Sequence, residues 1–150
     1  MCFVRNAQST HARPPRRGGA ILEAALVLPI LFTVGFGAVE FGYFIFVKHA
    51  VQGASREGAR AGILPTATSA KVTAAVSTAM GAAGLGSSGY QVEVKNGSTD
   101  ATLNVATATA QTPVKVVVRC PWSSVAPGLR PLLMIDESKQ VSGLTVMSKE

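Results

Sequence analysis

Charge is scarce in this chain. Asp, Glu, Lys and Arg make up 15% of its 150 residues, where roughly a quarter is usual for a soluble domain. Hydrophobic residues make up 47%, so the shortage is not that of a disordered chain, which is poor in apolar residues. The first 18 residues hold no acid at all, only Arg5, Arg13, Arg16 and Arg17, so the rest of the chain carries +2 of the net +6. That is too little for a phosphate-binding face, and no nucleic-acid partner is expected. Two cysteines, Cys2 and Cys120, exclude a disulfide framework and a CxxC-type zinc site. Beyond the leader His49 is the one histidine, and no GxSxG elbow, GxxxxGK[ST] loop or GxGxxG after a strand occurs. Ser87-Ser88 reads as a flexible glycine linker, and Asp136-Glu137 as a solvated turn, since neighbours on a regular element point apart. No catalytic residue, metal or cofactor is expected, and the chain is not read as an enzyme.

What the chain does have is a long apolar run. Ala24 to Val47 contains one ionisable residue, Glu40. About 20 apolar residues in a helix cross a bilayer core, and only a helix bonds all its amides internally there. Pro29 removes one of those bonds, which membrane helices tolerate. Arg13, Arg16 and Arg17 precede the run, which places the N-terminus in the cytoplasm and the larger C-terminal part outside. The run is about twice the apolar core of a cleaved secretory signal, and no A-x-A-like site follows it. The polar leader Met1–Gly18 ends in Arg16-Arg17-Gly18, so cleavage at that edge would leave the apolar helix in the mature chain. Glu23, at the start of the apolar segment, marks either a partner or a headgroup-facing position.

The helix is expected to continue through Lys48 to Gly62. Small residues recur there at Ala50, Gly53, Ala54, Gly58, Ala59 and Ala61, and Ala38-x-x-x-Gly42 repeats the pattern inside the apolar run. Such a face admits a close backbone, either a partner's or that of the protein's own sheet. Pro65 breaks the helix. Ser69 is a candidate N-cap for a second helix over Ala70 to Ala83, with Val72, Val76 and Met80 as its apolar stripe. Gly81, Gly84, Gly86 and Gly89 mark a linker. Tyr90, Val92 and Val94 alternate with polar residues as a half-buried strand that ends at the Asn96-Gly97 turn. Thr102 to Thr109 is a candidate second strand, Val114 to Arg119 a third, and Gln140 to Met147 alternates again. Trp122 to Met134 reads as a proline-broken loop with an apolar end. Cys120 is a buried thiol or an intermolecular disulfide partner.

The stretch Arg16-Arg17-Gly18-Gly19-Ala20-Ile21-Leu22-Glu23-Ala24-Ala25-Leu26-Val27-Leu28-Pro29 looks like a prepilin processing site. With Val39-Glu40-Phe41-Gly42 and Ala54-Ser55-Arg56-Glu57-Gly58-Ala59-Arg60 it resembles the TadE-like family, pseudopilin-type proteins of tight-adherence (Flp) pilus systems. The resemblance covers about Arg16 to Gly62. It implies an α+β, pilin-like fold: a long N-terminal transmembrane helix, then a small helix and an antiparallel sheet. It implies three parts: a basic leader over 1–18, a transmembrane and assembly helix over 19–62, and a small extracytoplasmic domain over 63–150. The implied role is that of a minor pilin-like subunit, cut by a prepilin peptidase between Gly18 and Gly19 in a processing site of Arg16, Arg17, Gly18 and Gly19. Glu23 would act in assembly, and Ala38, Gly42 and Gly58 in helix packing. The implied partners are the peptidase, other pilin-like subunits, the inner-membrane assembly platform and membrane lipid. The competing readings are an uncut single-pass anchor whose outer domain binds an envelope partner, and a membrane-tethered enzyme.

Overall fold

The computed structural model describes residues 17–125, 132 and 134–150. It contains the helices α1 (Arg17–Gly62) and α2 (Ser69–Ala82) and the strands β1 (Gln91–Asn96), β2 (Pro113–Pro121) and β3 (Gln140–Ser148). A short 3-10 turn, Trp122–Ser124, follows β2. Contacts divide the chain into two units, 1–34 and 35–150. In the first unit every described side chain is exposed. Thr33 Oγ1 there donates to Pro29 O at 2.8 Å, a local bond beside the turn that proline leaves incomplete.

In the second unit α1 changes character. From Val47 onward its small and β-branched residues fall on one helical face: Val47, Val51, Ala54, Gly58, Ala59 and Gly62 are buried. Spacings of three and four keep them in one stripe. The expected division at Gly62 therefore does not separate two packing layers, because the last four turns of α1 belong to the same core as the sheet. A Cβ on Gly58 would stand 2.6 Å from Val76 Cγ2 and 3.1 Å from Val116 Cγ1. The small-residue face of this stretch is thus filled by α2 and β2 of the chain itself.

α2 begins one residue earlier than its sequence pattern suggests. Thr68, in extended conformation, is the N-cap and accepts from the Lys71 amide at 3.3 Å, while Ser69 is the first helical residue. Val72, Val76 and Met80 are fully buried, each contributing roughly 1.5–3 kcal/mol of transfer free energy. Gly84 and Gly89 turn the chain at positive φ, where a side chain would be strained.

The sheet is antiparallel in the order β1-β2-β3. Asn96-Gly97 is a turn, with Asn96 Oδ1 accepting from the Ser98 amide at 2.8 Å. Thr102 to Thr109, a candidate second strand by sequence, is not a strand. It makes one bridge, Lys95 with Thr102, and then turns at Asn104, whose Oδ1 accepts from the Ala106 amide. Its Thr and Ala side chains offer little area to bury; Val105 is fully buried and Leu103 packs half-buried against the core. Two of its carbonyls, Val105 O and Ala108 O, accept from the buried Lys149 ammonium at 2.6 and 2.9 Å. β1 pairs instead with β2, Val92 opposite Val118. Inward residues are Val114, Val116, Val118 and Cys120 on β2 and Val141 and Gly143 on β3. The outer face carries Glu93, ion-paired to Lys95 at 2.7 Å and Arg119 at 3.0 Å, and Lys115, paired to Asp100 at 2.6 Å. The Lys95 and Lys115 ammonium groups hold Glu93 and Asp100 below the usual carboxylate range. Solvent screens exposed pairs of this kind, so they add little to stability.

α1 meets β3 at unusually short range. Gly143 lies against the helix backbone at Val51 and Gln52. Gln52 brackets the free edge of β3: its Nε2 donates to Leu144 O at 2.9 Å and its Oε1 accepts from the Leu144 amide at 3.2 Å. Ser55 and Thr145 share a hydroxyl bond of 2.8 Å.

Cys120 is a free, fully buried thiol, 3.2 Å from Ser88 Oγ. Burial pushes its pKa up, opposed by the Ser88 hydroxyl. Thiolate is the reactive form. In a Cys2→Ser background, iodoacetamide at pH 8 should therefore leave Cys120 unmodified in the folded protein and alkylate it quickly in urea. Equal rates by mass spectrometry in the two conditions would show an accessible thiol.

Candidate functional site

The exposed apolar surface is concentrated on α1. Ile21, Leu22, Leu26, Ile30, Leu31, Phe32, Val34 and Val39 are each more than half exposed. The helix has a mean hydropathy of 2.1 over its most apolar window. By length and composition it is able to cross a membrane, and it fits a single-pass anchor.

Of the expected processing residues, Arg16 lies outside the described residues and Arg17 opens α1. Gly18 and Gly19 are exposed and helical, with open space where a Cβ would stand. Both belong to the first turn, whose amides have no partner within the helix. Glu23 is exposed. None of the ion pairs or hydrogen bonds among the described residues reaches it. Ala38 and Gly42 are exposed, and nothing lies within 4 Å of a Cβ built on Gly42. The structure does not bring Gly58 together with them, since Gly58 is closed off inside the domain.

The residue that sequence reasoning missed is Glu40. It is 1% exposed. Its Oε1 accepts from the Ile135 amide at 3.1 Å and its Oε2 from the Leu132 amide at 3.3 Å. A carboxylate bonded by backbone amides is a charge-assisted cap on an irregular segment. The signal was present: one acid in an otherwise apolar run must find donors. Next to it an aromatic cluster fixes α1 to the turn after β2. Phe44 meets Trp122 edge-on with ring centres 5.2 Å apart, Tyr43 lies 6.0 Å from Trp122, and its hydroxyl donates to Val125 O at 3.3 Å.

A single exposed apolar helix that runs into a small α+β domain defines the pilin-like class of architecture. Residues 18–60 match the family model described as TadE-like protein. The match spans under a third of the chain and agrees with the resemblance read from Arg16 to Gly62. The segment is thus similar to TadE-like proteins, a pilus-associated structural family. Comparison with curated proteins and with solved structures gave no match.

Proposed function

We propose that the protein is a minor pilin-like subunit that takes part in assembling a tight-adherence pilus or a related secretion machine. The observation that carries this reading is the TadE-like match lying on a helix whose apolar side chains are exposed. Such a helix is soluble in lipid and equally suited to packing among other apolar helices. It first holds the subunit in the bilayer and then exchanges lipid for its neighbours. The basic leader keeps the N-terminus in the cytoplasm, and a prepilin peptidase removes residues 1–18. The helix beyond Gly19 stays with the mature chain, and its outer domain stands outside the cytoplasm. Assembly draws its energy from the inner-membrane platform.

Cleavage tests the proposal directly. In cells that contain the peptidase, the membrane-extracted protein should begin at Gly19 by mass spectrometry. Gly18→Trp should leave the leader attached, because the indole adds bulk at the scissile bond. An intact N-terminus on the unsubstituted protein would favour the uncut anchor instead.

A further inference from the structure

β3 is an edge strand, and its own sequence holds nothing that keeps another strand away. Its nine residues, QVSGLTVMS, include no charge and no proline. The free N–H and C=O groups of an edge are a template for a further strand, and edges are usually blunted by lysine, proline, a bulge or a cover. An uncharged apolar stretch without proline is also the kind of sequence that pairs with copies of itself. Leu144 and Val146 are each 47% exposed and stand opposite Val117 and Lys115 of β2. At the other edge of the sheet, the chain after β1 lies along part of that strand. The Asn96 amide donates to Ala101 O at 2.8 Å, and the Leu103 amide donates to Val94 O at 3.0 Å.

On β3 the cover is a single side chain of α1. The Leu144 N–H and C=O both bond to Gln52, so they point away from β2. Outward and inward bonding alternate along an antiparallel strand, so the main-chain groups of Ser142, Val146 and Ser148 point outward too. Of these four positions, only Leu144 has its outward groups bonded among the described residues. Leu144 is the middle residue of β3. A carboxamide offers one donor and one acceptor, as a peptide unit does, so Gln52 makes the two bonds that a neighbouring strand would make there. Its Nε2 also lies 3.3 Å from Thr145 Oγ1, which helps to hold it in place.

We propose that Gln52 is a plug that closes the edge of β3 to the β3 of a second copy of this chain. The strand is self-complementary about its centre. An antiparallel pair centred there sets Leu144 opposite Leu144 and Ser142 opposite Val146, and no charge on either strand opposes it. Such a pair needs the Leu144 N–H and C=O at its middle, and the Gln52 carboxamide occupies both. The plug keeps the sheet at three strands and leaves the β3 edge out of any association between copies.

Disulfide trapping in the full-length protein tests this. In a Cys2→Ser background, Leu144→Cys would be oxidised with copper phenanthroline in detergent and the dimers read on a non-reducing gel. Residues facing each other in a hydrogen-bonded antiparallel pair have Cα atoms about 5.5 Å apart, within the range that a disulfide spans. Adding Gln52→Ala should raise the dimer yield severalfold with Trp122 fluorescence unchanged. Ser77→Cys, on the exposed side of α2, should give the same low yield with and without Gln52. Adding Ser55→Ala removes the neighbouring Ser55–Thr145 bond and should leave the yield at 144 low. Equal yields at 144 with and without Gln52, or an equal rise with Ser55→Ala, overturn the plug. A second measurement needs no substitution. Amide exchange followed by NMR should be severalfold slower at Leu144 than at Ser142 and Val146, and equal exchange at the three would overturn the plug as well.

Discussion

Gly143→Ala should cost the outer domain about 3 kcal/mol or more, although it adds one methyl group. The new Cβ would stand 2.5 Å from Val51 O, 2.7 Å from Val51 C and 2.8 Å from Gln52 Cα. Overpacking a core costs typically about 1–3 kcal/mol where side chains can yield. Here the opposing atoms are helix backbone, which cannot rotate aside. β3 would have to lift from α1 and give up the Gln52–Leu144 bonds and the Ser55–Thr145 bond, each worth about 1 kcal/mol. Against a total stability of about 5–15 kcal/mol, that is a large fraction. Urea unfolding of the detergent-solubilised protein, followed through Trp122, would measure it. Gly81→Ala is the matched comparison. Gly81 is exposed in α2 with nothing within 4 Å of its Cβ position, so the same change there should be neutral or stabilising by about 0.5–1 kcal/mol. If Gly143→Ala unfolded within 1 kcal/mol of the unsubstituted protein, as estimated by overpacking, the close crossing of β3 over α1 would be wrong.

That crossing also shows what a sequence does not display. Gly143 sits in an alternating pattern as one more small residue, and nothing local says that a helix backbone ninety residues earlier presses on it. The helices were legible because their signals are local: apolar length in α1, the Val72-Val76-Met80 stripe in α2. β2 was legible as a near-continuous apolar strand because it is the central strand, with Val114, Val116 and Val118 facing the helices and Val117 largely covered on the other side. The Asn96-Gly97 turn was legible, but the partner of β1 was not. Pairing was decided by how much each segment can bury, and Val114–Val118 outweighs Thr102–Thr109. In the candidate site, the exposed apolar helix and Glu23 followed from composition and resemblance. Glu40 was legible only as an acid in need of donors; which donors serve it was not, because they are two backbone amides of an irregular loop, and amides leave no mark in a sequence.

Glu23→Gln should abolish or sharply reduce surface pili while leaving the protein in the membrane at its normal level. Glu40 and Glu23 make the contrast that motivates this. Both are acids on one apolar helix, but Glu40 is already bonded within the chain, whereas Glu23 is exposed and without a partner among the described residues. On the proposed reading Glu23 sits near the headgroups while the subunit is in the bilayer, and water can serve it there. Among packed helices that water is gone, and an unpaired carboxylate must find a cation or take up a proton. Cleavage at Gly18–Gly19 would supply that cation as the α-amino group of Gly19, with a reference pKa of about 7.7–8.0. It lies four residues from Glu23, about 6 Å along the helix, so the amine of the same chain or of a neighbouring subunit can pair with it. Pairing between subunits would fix their axial register. Breaking one partner of a buried pair costs about 3–5 kcal/mol, or a factor of at least ~100 in docking one subunit on the next. Glu23→Asp retains the charge and reaches one methylene less far, so it should assemble at an intermediate level. Pili would be counted by electron microscopy in strains matched for membrane content of each variant. Normal piliation in Glu23→Gln would sink the pairing and leave Glu23 as a residue that only faces headgroups.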